Sequence, residues 1–300
     1  MNILFLLSIC FYILLPFKFV YAKLNVITTT TTLATFTRHV AEDKSQVMSL
    51  TTTTQDPHFV EAKPSYMSKL READLLLAVG LDLEVGWLFN IQTGSRNSKI
   101  MPGQKGFLSV GEYIKPIEVP VGKMDRSEGD VHPYGNPHFQ FDPENAIKAI
   151  SSIANRMAEL EPNNAAFYQK NAESYNKKIK ERIPVWKKRV AATGIKQVVT
   201  YHKSLNYFLN YFNLKSLATI EPKPGVPPTA KHIISLIDLV KKNKVQCILN
   251  ESYFETTAAE RIKTESGANF VILPVEADGD YITFIDNMIL SLEKCSPKKK

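Results

Sequence analysis

The sequence predicts an α/β fold in two parallel-sheet lobes joined by a long helix. Short β-branched or apolar runs alternate with amphipathic stretches from residue 24 to about 110, and again from 197 to 292. Runs such as Asp74-Leu75-Leu76-Leu77-Ala78-Val79 lack the in–out alternation of a half-wet sheet, so they suit parallel strands covered on both faces. Between the two series, helical spacing persists for roughly forty residues. No internal repeat is visible in the sequence.

The chain opens with an apolar segment, Met1 to Ala22, whose only side-chain charge is Lys18. Its core, Ile3 to Leu15, has the length of a signal-peptide h-region and is short for a membrane span. Val20-Tyr21-Ala22 places small residues three before and one before a cut after Ala22. Residues 1–22 therefore read as a cleaved signal peptide that delivers a periplasmic protein. Leu7-Ser8-Ile9-Cys10 sits inside the apolar run with Ile before the Cys, a poor lipobox, so a free protein is expected over a lipid-anchored one.

Leu24 to Thr29 reads as the first strand, and a helix is expected around Leu33 to Val40. Val47–Thr52 follows as a strand, Lys63–Glu72 as a helix, and Asp74–Val79 as a buried strand ending at Gly80. Phe107–Val110 and Val119–Val121 are further short runs. Asp142-Pro143-Glu144 is a helix start, with Asp as N-cap and Pro at the first helical position. Ile147, Ile150, Ile153, Ala154 and Met157 keep helical spacing. Glu161-Pro162-Asn163-Asn164 interrupts it, so one long helix or two abutting ones remain open, and Pro184 is a candidate kink. The second series offers strands at Gln197–Tyr201, Val245–Asn250 and Asn269–Pro274. Its helices fall at Ser204–Phe212, Thr229–Asn243, Thr257–Ser266 and Tyr281–Leu292, with a Pro-rich stretch from Glu221 to Pro228. The expected domains are an N-terminal lobe 23–142, a linking helix 143–190 and a C-terminal lobe 191–300.

Charge narrows the partners little. Lys+Arg number 37 against 30 Asp+Glu, but the basic residues are dispersed, and Lys298-Lys299-Lys300 reads as a solvated tail, so nucleic acid is not an expected partner. Beyond residue 22 no apolar segment approaches 18 residues. Cys247 and Cys295 are the two cysteines of the processed chain, and an oxidising compartment permits a bridge between them.

Three histidines stand in loops where parallel sheets gather ligands. His58 follows the second strand within Gln55-Asp56-Pro57-His58, His138 ends a Gly/Pro loop before the long helix, and His202 follows Tyr201 directly. Imidazole is a common ligand for zinc, which takes three or four N, O or S donors. His132, in Asp130-Val131-His132-Pro133, stands between binding and guiding, whereas His39 and His232 read as ordinary helix residues. No HExxH and no CxxC occurs.

These residues fall into a recognisable order. Asp56-Pro57-His58 with Lys63-Pro64-Ser65, Ala73-Asp74 with Val79-Gly80-Leu81-Asp82-Leu83-Glu84, Asn136-Pro137-His138 with Phe141-Asp142-Pro143, and Tyr201-His202 before Tyr207-Phe208 resemble the metal-specific solute-binding proteins of ABC importers. These are the TroA/ZnuA-type (cluster A-I) zinc and manganese receptors, and the similarity extends over residues 24–293. The resemblance implies a rigid bridging helix, a metal site in the interlobe cleft, no enzymatic activity, a membrane permease as partner and a monomeric protein. His58 and His138 match the two N-lobe ligands and His202 the third. A carboxylate is frequent at the third position in manganese-preferring members, so His202 favours Zn²⁺, with Mn²⁺ the alternative. The fourth ligand is open: Glu276 aligns best, Asp278 is second, Glu251 ends a strand nearby, and water would also serve. The acidic and His-rich loop of zinc members is represented by only His132, Asp125, Glu128 and Asp130, too few for a metal-gathering role. A secreted zinc hydrolase and an adhesin on the same fold are the competing readings.

Overall fold

The computed structural model describes residues 23–122 and 131–296. The expected signal peptide at 1–22, Asp125, Glu128 and Asp130 of the loop, and the lysine tail lie outside the described residues.

Two four-stranded sheets, all parallel, form the frame. In the first, β1 (Leu24–Thr28) lies between β2 (Ser45–Ser49) and β3 (Leu75–Ala78), and β4 (Phe107–Ser109) extends the far side. In the second, β5 (Gln197–Thr200) lies between β6 (Lys215–Thr219) and β7 (Cys247–Glu251), with β8 (Asn269–Leu273) outermost. The order reverses beside β1 and beside β5. Loops leaving the carboxyl ends there part to opposite faces and open a crevice.

Helices cover both faces. In the first lobe these are α1 (Thr31–Ala41), α2 (Pro64–Arg71) and α3 (Leu88–Ser95). α4 (Pro143–Leu160) and α5 (Ala165–Ala192) follow as two helices broken at 162–164, where Pro162 opens a short 3₁₀ turn. α6 (Asn206–Tyr211), α7 (Ala230–Asn243), α8 (Thr257–Ser266) and α9 (Tyr281–Cys295) belong to the second lobe. Asp142 caps α4 as its sequence predicts, accepting from the Glu144 N–H at 2.8 Å.

Pro184 does not end α5. The missing N–H and ring clash of an interior proline cost about 3 kcal/mol, and the packing around it offsets that. Trp186 and Ile179 are fully buried, and Arg182 and Arg189, two turns apart, both bind Asp286 of α9 at 2.7–2.8 Å. These ion pairs are half-exposed and individually weak, so the buried seam does most of the holding. On its other side α5 touches α1, where Asn171 donates to the Val40 carbonyl at 3.1 Å. One apolar core accordingly runs from the inner face of the first sheet through α4 and α5 to the second, while separate outer cores lie under α2–α3 and α7–α8.

One expectation is corrected, two elements were not anticipated, and one open question is answered. Val119–Val121 forms no strand, and Val121 is fully exposed. The helix α3 and the strand β6 were not anticipated: β6 carries Lys215, Ser216 and Thr219 with no fully buried residue, so it lacks an apolar run. Cys247 and Cys295 are bonded, with Cα atoms 5.4 Å apart, tying β7 to the last turn of α9. Among the described residues no helix is long and apolar enough to cross a membrane.

Candidate metal centre

The loops after β2 and β5 and the loop before α4 meet over the crevice. They bring His58, His138 and His202 together so that one ligand atom from each lies within 4.8 Å of the others. Their ring centroids are 5.1, 5.9 and 5.9 Å apart. Two nitrogens on one tetrahedral Zn²⁺ stand about 3.3 Å apart, given bonds of about 2.0 Å, so a small inward movement would close the set on one ion.

Each ring is fixed by a different neighbour. Asp56 accepts from the His58 backbone N–H at 2.9 Å and meets Nδ1 of the same ring at 2.7 Å. Burial works against the Asp56 charge, but the His58 hydrogen bonds outweigh it and hold its pKa below the usual carboxylate range. An ionised carboxylate only accepts, so Nδ1 carries the proton and the Nε2 lone pair is free for a cation. His202 is arranged the same way: Glu221 Oε2 meets its Nδ1 at 2.6 Å, and the other Glu221 oxygen accepts from Gly225 N–H at 3.2 Å.

His138 is positioned through its backbone, which donates to Asn136 Oδ1 at 3.0 Å. Asn136 in turn donates to the Lys203 carbonyl at 3.0 Å, linking the His138 loop to the residue after His202. Tyr207 donates to the Asn136 carbonyl at 2.9 Å. The His138 ring is buried and its Nε2 has no hydrogen-bond partner. A buried, unpaired imidazole nitrogen among other imidazoles is a candidate cation ligand. Burial, then the neighbouring histidines, push the His138 pKa well below its ordinary value, so this ring stays neutral and ready to bind.

None of the three acidic residues expected for the fourth position joins the cluster. Glu276 is buried at the start of α1, accepting from Thr32 N–H at 3.0 Å and from the Thr32 hydroxyl at 2.5 Å, a carboxyl group at a helix N-terminus. Burial raises its pKa to about 7 against those bonds. Asp278 is on the surface beside Arg38. Glu251 is fully buried and bonded by the Ser204 hydroxyl; its second oxygen has no partner, and burial raises its pKa to about 8. Glu251 thus steadies the His202 loop, while the carboxylate on the ring is Glu221. That partner was missed because it follows β6, the strand the sequence hid. Asp56 was within reach of sequence reasoning, two residues before the histidine it orients.

His39 stacks on Tyr175 and His232 meets the Thr219 carbonyl at 3.1 Å, both outside the cluster. His132 lies beside it, its Nε2 3.1 Å from that of His58.

The family model for zinc-uptake complex component A, periplasmic, matches residues 26–295. The chain belongs to this family. Its members are substrate-binding components of ABC importers that carry metal, not enzymes. The chain is 25% identical over 250 residues to the metal ABC transporter substrate-binding lipoprotein SloC of Streptococcus mutans, covering 82% of this chain and 78% of that one. It is 29% identical to the manganese ABC transporter substrate-binding lipoprotein of Streptococcus gordonii, covering 77% and 73%. The match to the zinc-binding lipoprotein AdcA of Streptococcus pneumoniae is 25%, covering 92% of this chain and 56% of that protein. A crystal structure of ZnuA superposes with a TM-score of 0.79 at 23% identity, over 92% of this chain and all of the other. The cadmium-bound periplasmic metal-binding protein of Candidatus Liberibacter asiaticus gives 0.74 at 24%, over 91% and 99%. These relatives bear both zinc and manganese names, and several are lipoproteins, so the expectation of an unanchored protein finds no support among them.

Proposed function

We propose that this chain is an extracytoplasmic zinc receptor that captures Zn²⁺ between its lobes and hands it to the membrane permease of an ABC importer. His58 and His138 from lobe 23–142, and His202 from lobe 191–300, are the ligands; residues 143–190 link the lobes, and the apolar segment 1–22 directs export of a monomer. The observation that carries this reading is the meeting of three imidazoles with their Nε2 atoms freed, two by carboxylates on Nδ1 and one by burial without a partner. Family membership supports the delivery step. An all-nitrogen set favours Zn²⁺, whereas Mn²⁺ suits oxygen donors.

The test is equilibrium competition on residues 23–300, with Zn²⁺ and Mn²⁺ buffered by chelators. Zinc is expected to displace bound manganese at equal free concentration. Preferential retention of manganese would overturn the zinc assignment and leave a manganese receptor.

A further inference from the structure

His132 is the one histidine beside the cluster to which the three-ligand reading gives no task. Its Nε2 lies 3.1 Å from Nε2 of His58, close to the spacing of about 3.3 Å that two nitrogens keep on one tetrahedral zinc. The His58 nitrogen in that contact presents a lone pair, because Asp56 takes the Nδ1 proton. The His132 tautomer that carries its proton on Nδ1 brings a second Nε2 lone pair to the same point, where one cation can take both. His132 also lines a cavity of about 80 Å³ together with His138 and His202.

The acidic alternatives are occupied elsewhere. Glu276 is committed to Thr32, Glu251 to Ser204, and Asp278 faces Arg38 on the surface. We propose that His132 is the fourth metal ligand, giving a site of four imidazoles. This rests on the three-histidine reading. His132 lies outside the set mutually within 4.8 Å, with its ring centroid 6.4 Å from that of His138, so its loop draws inward when metal binds. That loop turns on Gly135, whose N–H donates to the His132 carbonyl at 3.1 Å and whose φ of 101° suits glycine alone. A fourth nitrogen in place of an oxygen further biases the site toward Zn²⁺ and away from Mn²⁺.

X-ray absorption of the zinc-loaded chain 23–300, with visible absorption of its Co²⁺ form, counts the imidazoles directly. Four are expected in the wild type. In His132→Ala, three imidazoles plus an oxygen are expected, with zinc affinity down about tenfold or more. Glu276→Gln should keep four and bind zinc as before. Metal-free melting of each variant, read in parallel, separates loss of a ligand from loss of fold. A wild-type site of three imidazoles, or a His132→Ala protein with unchanged spectrum and affinity, would overturn this assignment while leaving the receptor reading intact. A wild type that binds no zinc at all would overturn both.

Discussion

In each lobe the first strand sits second in its sheet, and a glutamate from the third strand or just beyond it reaches back to brace the loop that the first strand feeds. In the first lobe this is Glu84, which accepts from the Thr29 hydroxyl at 2.6 Å, Val79 N–H at 2.7 Å and Gly80 N–H at 3.0 Å. In the second it is Glu251, which accepts from the Ser204 hydroxyl but keeps one oxygen unpaired. The braced loop in the first lobe, Thr29-Thr30, carries no histidine. In the second it carries a metal-ligand candidate. The first lobe places its histidines instead on the loop after β2 and on the approach to α4. One topology therefore supplies the crevice twice, and the candidate ligands are distributed unequally over it.

The disulfide sharpens this contrast, because it belongs to the second lobe alone. Closing a separation of 48 residues restricts the unfolded chain by up to about 4 kcal/mol in the loop-entropy model. Cys295→Ser should lower the melting temperature of the whole chain, since one core spans both lobes, yet leave zinc affinity close to wild type. Calorimetry and a zinc titration on the same sample check it, and loss of affinity in proportion to stability would mean that the bridge shapes the site.

The two carboxylates on imidazole Nδ1 give the next effect. Asp56 braces His58 from two residues away within its own turn, whereas Glu221 reaches His202 from the far end of β6. Asp56→Asn and Glu221→Gln should each weaken zinc binding by about 10–100-fold. The larger loss is expected at the more deeply buried Glu221. Equal affinities for both variants and wild type would show that the rings are held by packing alone.

The smallest effect is on pH. Glu276 and Glu251 have pKa values raised to about 7 and about 8, so they favour folding while protonated, and that contribution is lost as pH climbs from the ordinary glutamate range through those values. His138 and His132, the latter near 3, are lowered, chiefly by burial; stability from keeping them neutral is lost as pH falls below their usual value of 6.5. The metal-free protein should thus melt lower on either side of mildly acidic pH. Glu251→Gln should flatten the alkaline limb only. An unchanged alkaline limb would mean that Glu251 is charged in the folded state.

The strands buried on both faces were legible because an apolar run such as Leu75–Ala78 fits nothing else so short. The end of α4's predecessor loop was equally clear from Asp142-Pro143. β6 was not legible, since an edge strand reading Lys215–Thr219 has no apolar signature, and α3 was missed because Leu88–Ser95 has no side-chain cap and contains Gly94. The site follows the same rule. His58, His138 and His202 could be picked out as polar residues at strand ends or before a capped helix. Glu221 could not, since its partner lies across an unrecognised strand, and the Cys247–Cys295 pairing depends on where the last turn of α9 falls. The 3.1 Å approach of His132 to His58 links residues 74 apart in sequence, which no local pattern encodes.

The most direct measurement of the central claim is a melting titration of metal-free residues 23–300 with Zn²⁺, alongside His202→Ala. A ligand bound only by the folded state stabilises it by about 4 kcal/mol at a thousandfold excess over Kd. The account predicts a large zinc-induced rise in melting temperature that collapses in His202→Ala. No rise in the wild type, or an undiminished rise in the variant, would contradict it.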